Sequence, residues 1–154
     1  MSTDTLKFVC PVDFSEGSEN ALDKAVELAR ALGAAIELVH VYQVPVFALP
    51  DAPMTAMDPT LVTQIEKQSR KLLEDALLRL RAKAPDLQVN AHLLQGMPAE
   101  SIVEFAQSAG ATMIVIGTHG RRGFQRFLLG SVAERVVRTA HVPVLTVQMA
   151  PKAD

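Results

Sequence analysis

The sequence predicts an α/β fold: an open, five-stranded parallel sheet with helices on both faces. Short apolar runs rich in strand formers alternate with longer segments of helical periodicity along the whole chain. Each strand-to-strand connection is long enough to carry the crossover helix that a parallel pair requires. Glycines and prolines mark the joints between these segments.

Residues 6–12 are a short apolar run, ended by Asp13. Ala21, Leu22, Ala25, Leu28, Ala29 and Leu32 recur at helical spacing, with Ser15 placed as N-cap and Gly33 at the stop. Residues 35–41 read as the second strand. Residues 42–60 carry Pro45, Pro50, Pro53 and Pro59 and have no periodicity, the signature of a flap. A long helix follows with Leu61, Ile65, Leu72, Leu73, Ala76, Leu77 and Leu80 on one face, closed by Pro85. Residues 87–94 alternate as a third strand. Pro98 suits the first position of the next helix, and Gly110 closes it. Residues 112–116 form a nearly all-apolar fourth strand. A last helix begins at Gly130-Ser131, with Val132, Ala133, Val136, Val137 and Ala140 inward. Residues 142–147 make the fifth strand, with Pro143 near its start.

The resulting order is β-α-β-α-β-α-β-α-β, which a doubly wound sheet commonly arranges as 3-2-1-4-5. A length of 154 residues fits one domain spanning 1–154. Apolar residues make up 49% and charged residues 21%, a globular balance. No apolar run approaches the roughly 18 residues of a membrane span, and the N-terminus lacks a signal-peptide pattern. The single cysteine, Cys10, excludes an internal disulfide and points to a reducing compartment, the cytoplasm. A net charge of −2 argues against nucleic acid as partner. The basic residues Arg121, Arg122, Arg126, Arg135 and Arg138 cluster locally, enough for a small anion.

In open sheets of this kind ligands collect beyond the strand C-termini where the strand order reverses. Here that is between the first and fourth strands, which end at Asp13 and Gly117. The most glycine-rich loop, residues 117–131, begins there. Glycines bring backbone N–H groups close to phosphate oxygens, and the loop feeds a helix N-terminus that favours an anion. Equally, Gly117, Gly120 and Gly130 suit tight turns, and Ser131-Val132-Ala133-Glu134 fits a capping box needing no ligand. Spacing alone leaves both readings open. No Gly-Lys-Ser/Thr phosphate loop and no Gly-x-Gly-x-x-Gly after the first strand occurs. His40, His92, His119 and His141 are scattered, so no protein metal site is expected, and Ser15 and Ser18 have no base partner. No catalytic residue is assigned.

Val12-Asp13-Phe14-Ser15 with Ala21-Leu22, the spacing Gly117-x2-Gly120-x9-Gly130-Ser131, and the endings Val132-Ala133-Glu134-Arg135-Val136 and His141-Val142-Pro143-Val144-Leu145 resemble the universal stress protein family. The resemblance spans residues 7–147. It implies a Rossmann-like sheet of order 3-2-1-4-5, related to that of the adenine nucleotide alpha hydrolases, and a homodimer. The complete glycine motif places the chain with the family's ATP-binding branch. Pro11, Asp13 and Val41 would hold adenine and ribose; Gly117, Gly120, Gly130, Ser131 and Val132 would hold ribose and phosphates. Magnesium or manganese would arrive with the triphosphate. Asp13 has a second reading, as strand terminator or helix cap.

Three functions compete. The first is an ATP-binding regulatory module of a stress response, in which the nucleotide orders the glycine loop and the flap. The second is slow ATP hydrolysis or adenylyl transfer, disfavoured because residues 13–18 depart from the Ser-Gly-Gly-x-Asp-Ser pattern. The third is a nucleotide-free dimeric interaction protein, paired through the apolar last strand at Val144–Val147. Arg121, Arg122 and Arg126 are either a solvated face or a γ-phosphate clamp.

Overall fold

The structure is a computed structural model that describes residues 4–45, 58–119 and 129–149. In chain order the elements are β1 (Lys7–Pro11), α1 (Glu16–Leu32), β2 (Ala35–Tyr42), α2 (Pro59–Lys83) and β3 (Val89–Gln95). They continue with α3 (Pro98–Ser108), β4 (Met113–Gly117), α4 (Ser131–Thr139) and β5 (Val144–Val147). The five strands pair in the order β3-β2-β1-β4-β5, all parallel, as the alternation of elements predicts. The winding order reverses between β1 and β4, since the chain winds one way through β2 and β3 and the other through β4 and β5.

Strand periodicity sorts the core into two layers. Phe8, Cys10, Ile36, Leu38 and Val115 face α1 and α2, meeting Leu22, Val26, Leu73 and Leu80. Val9, Val39, Ile114 and Ile116 face α3 and α4, meeting Ile102, Ala106, Ala133 and Val136. Buried on both faces, β1 and β4 read as unbroken apolar runs, as central parallel strands do.

The ends of the helices follow local chemistry. Ser15 caps α1, its Oγ accepting from Ser18 N at 3.2 Å, and Gly33 closes it in the left-handed region at φ 70°. Ala84, forced off the helical region by Pro85, ends α2 at φ −132°, ψ 64°. Asp58 caps the start of α2, its Oδ1 accepting from Thr60 N at 2.9 Å, so the non-periodic stretch stops two residues before its predicted limit at 60. Most of that stretch lies outside the described residues.

Some expectations need correction. Val137 of α4, expected inward, is exposed, as are Leu61 and Leu72 of the apolar face expected for α2 and Leu32 of the apolar repeat in α1. A helix lying on a sheet buries a narrower stripe than its full set of apolar positions, and these four fall outside it. The third strand starts at Val89 because Leu87 N turns back to Ala84 O at 3.1 Å. The most consequential correction concerns α4. Its N-cap is Gly130, whose carbonyl accepts from Glu134 N at 2.9 Å and which has no side chain with which to cap the helix. Ser131 is therefore the first helical residue, and the predicted capping box does not form.

Candidate functional site

Where β1 and β4 part, the C-terminal ends of the strands open onto a cavity of about 420 Å³, within the range of small-molecule sites. Pro11, Asp13, Val41, Gly117, Gly130, Ser131 and Val132 all border it. These residues come from four separate parts of the chain, and the topology brings them together. Gly120, Arg121, Arg122 and Arg126 lie outside the described residues. Arg135 and Arg138, also in the basic cluster, do not border the cavity. Arg135 pairs with Glu100 of α3 at 2.6 Å and Arg138 pairs with Glu134, both on the surface.

Asp13 is built into the β1–α1 turn. Its Oδ1 accepts from Ser15 N at 3.0 Å and from the Ser15 hydroxyl, while its own N–H donates to Ser18 Oγ at 3.3 Å. Ser18 Oγ in turn donates to Ser15 O at 3.1 Å. The helix cap is thus Ser15, and Asp13 holds the cap in place while bordering the cavity. Phe14, between them, has φ 65°, an uncommon conformation for a bulky residue. Its ring packs against His40 with centroids 4.5 Å apart. His40 Nδ1 lies 2.8 Å from the Val12 carbonyl oxygen, which can only accept, so the proton sits on Nδ1. The turn that presents Asp13 is therefore fastened to β2.

Opposite Asp13, the β4–α4 connection is closed at its base. Gly130 N donates to Thr118 O at 2.6 Å, and Thr118 N donates to Val147 O at 3.1 Å. Thr118 is 2% exposed, so this clasp is buried. The first N–H groups of α4 have no partner within the helix, and its N-cap, Gly130, has no side chain to offer them. Gly130, Ser131, Val132 and Ala133 border the cavity, so a helix N-terminus with its partial positive charge faces the hollow. That arrangement fits an anionic group such as a phosphate.

Sequence reasoning missed several contributors. Gly17, at the start of α1, has no room for a side chain: a Cβ there would lie 2.2 Å from His119 O. Gln43, Pro98 and Ile102 border the cavity from the far side, as do His40 and Thr118 nearer the strands. Nothing in their spacing marks them, since each is adjacent to the hollow only through the winding order. A second cluster was also missed. The buried Glu37 of β2 accepts from Asn90 Nδ2 at 3.1 Å and lies 2.5 Å from His92 Nε2. Phe105 of α3 covers the His92 ring.

Fold and crevice together define an open, doubly wound α/β domain with a ligand-sized hollow at its switch point. The chain belongs to the universal stress protein family, whose model matches residues 5–148. A universal stress protein of Methanocaldococcus jannaschii is 37% identical over 149 residues, which cover 95% of this chain and 84% of the relative. Universal stress protein UspA from Lactobacillus plantarum shares the fold with a TM-score of 0.79 at 22% identity, covering 92% of this chain and 97% of that one. A universal stress protein from Archaeoglobus fulgidus, solved in complex with dAMP, has a TM-score of 0.54 at 27% identity, covering 92% and 96% of the two chains. Among the described residues no helix is long and apolar enough to cross a membrane.

Proposed function

We propose that this universal stress protein binds ATP in the crevice between β1 and β4 and serves as a nucleotide-dependent regulatory module. One observation carries the reading: the N-terminus of α4, which starts at a glycine without a capping side chain, opens onto a cavity that Asp13 also borders. Phosphates take the helix end, where the first N–H donors have no partner within the helix. The Asp13 carboxylate accepts from a ribose hydroxyl, and Val41 and Pro11 flank the base. Gly120, with Gly117, lets the glycine loop approach the phosphates, and magnesium or manganese accompanies the triphosphate rather than using a protein cage. The relative solved with dAMP supports an adenine nucleotide as the ligand class.

Calorimetric titration with ATP and magnesium, comparing wild type with Asp13→Ala and Gly130→Val, tests this. Binding by the wild type that both substitutions weaken tenfold or more fixes the crevice; no binding by the wild type sinks the reading.

β5 carries a second part of the proposal. It is the outer strand beyond β4, apolar, and only half-buried along Val144–Val147. Edges of this composition are normally paired or covered, and pairing with the same strand of a second copy gives a two-fold homodimer. Light scattering of the wild type and of Leu145→Lys distinguishes the cases: a monomeric wild type at tens of micromolar (roughly the range where a stable dimer persists) rejects the dimer.

A further inference from the structure

The far wall of the crevice is apolar: Val39 and Val41 from β2, Pro98 and Ile102 from α3. Gln43 stands beside it, just beyond the end of β2. It lies on the opposite side of β1 from the phosphate-compatible end at α4, because the sheet order puts β1 between β2 and β4. A ligand with its anionic end on α4 therefore directs its other end toward Gln43.

The backbone around Gln43 is well fastened. Gly96 N donates to Tyr42 O at 3.1 Å, and the Tyr42 hydroxyl donates to Gln95 Oε1 at 3.2 Å. The carboxamide of Gln43 is held differently. Its Nε2 donates to Met97 Sδ at 3.4 Å, and Met97 is 59% exposed. A thioether is a weak acceptor and cannot donate. It favours the NH2 as the end of the amide that faces it, while costing little to leave. The carbonyl oxygen is then turned away from Met97, and among the described residues it accepts no hydrogen bond.

We propose that Gln43, oriented by Met97, is the specificity-determining residue for the base, its amide oxygen accepting from the exocyclic amine of adenine and its amide N–H donating to the adjacent ring nitrogen. The inference rests on the nucleotide reading above and deepens it. A glutamine amide offers an acceptor and a donor side by side, the complement of adenine's amine and ring nitrogen. The amine has two hydrogens, so it can serve Gln43 and the Val41 backbone together. A purine with a carbonyl at that position sets acceptor against acceptor while the NH2 faces Met97, and turning the amide gives up that contact.

ATP and ITP test this, since they share ribose and triphosphate and differ at the six-position of the base. Titrated with magnesium, the wild type should prefer ATP by roughly tenfold or more. Gln43→Leu should bring the ratio close to one by weakening ATP and sparing or relieving ITP, and Met97→Leu should narrow it while ATP still binds. Gln43 is exposed, so neither loss should come from unfolding, which a thermal melt of each variant verifies. A wild-type ratio near one, a ratio unchanged in either variant, or an equal fall for both nucleotides would overturn the assignment. Failure of the wild type to bind either nucleotide instead overturns the nucleotide reading itself, and this inference with it.

Discussion

Gly17 and Gly117 face each other where α1 begins and β4 ends. A Cβ added to Gly117 would lie 2.7 Å from Gly17 O, and one added to Gly17 would lie 2.2 Å from His119 O. Both obstacles are backbone atoms, which cannot swing aside as a flexible side chain does. The close approach holds the start of α1 against the end of β4, where Gly117 borders the crevice.

Gly17→Ala should therefore destabilise the protein by roughly 1–3 kcal/mol, the usual cost of forcing atoms into a filled site. Gly33→Ala makes a useful contrast: it lies at φ 70° with nothing within 4 Å, so it should cost only about 1 kcal/mol from backbone conformation. Urea denaturation measures both. A Gly17→Ala midpoint equal to that of wild type would mean the two backbones separate easily.

Ser15 links fold and site. Removing its hydroxyl in Ser15→Ala deletes the α1 cap and one of the donors that hold Asp13 Oδ1, with an expected loss of about 1 kcal/mol. ATP affinity should fall too, because Asp13 loses a restraint. A variant less stable in urea yet unchanged in ATP affinity would show that the backbone N–H of Ser15 suffices to place the carboxylate.

Glu37 offers a test away from the crevice. It is 6% exposed and depends on Asn90 and His92 for its hydrogen bonds. His92→Ala leaves a buried carboxylate oxygen short of a donor, at a cost of roughly 1–3 kcal/mol. His92→Gln, which retains an N–H donor, should recover part of it. Equal destabilisation by both would assign the loss to ring packing against Phe105 rather than to the hydrogen bond.

Burial, and secondarily the charge of Glu37, raises the Cys10 thiol well above its ordinary range. The folded state thus keeps its proton where the unfolded state, with a thiol near about 8.5, releases it. Stability should accordingly decline as pH rises above that unfolded value, since the native state binds more protons there. Cys10→Ala should flatten this part of the profile. Iodoacetamide at pH 8 should leave native Cys10 unmodified and label it in urea; rapid labelling of native protein would contradict its burial.

The sequence by itself determined the number, type and order of the elements. Periods of 2 and 3.6, together with Ser15, Gly33, Pro85 and Pro98 at the joints, are local properties that need no tertiary contact to be legible. They also suffice for the parallel sheet, because each crossover carries its own helix. The glycine motif and Asp13 were legible as candidates, but not what they do: Ser131 fitted a capping box on spacing, and only the structure makes Gly130 the cap and leaves the helix end open to the cavity. Likewise, tertiary packing alone decided that Leu61, Leu72 and Val137 stay exposed, that Gly17 must have no side chain, and that Gln43 and Ile102 border the same cavity as Asp13. These relationships depend on distances between residues remote in the chain, which the winding of the sheet sets and local periodicity does not encode.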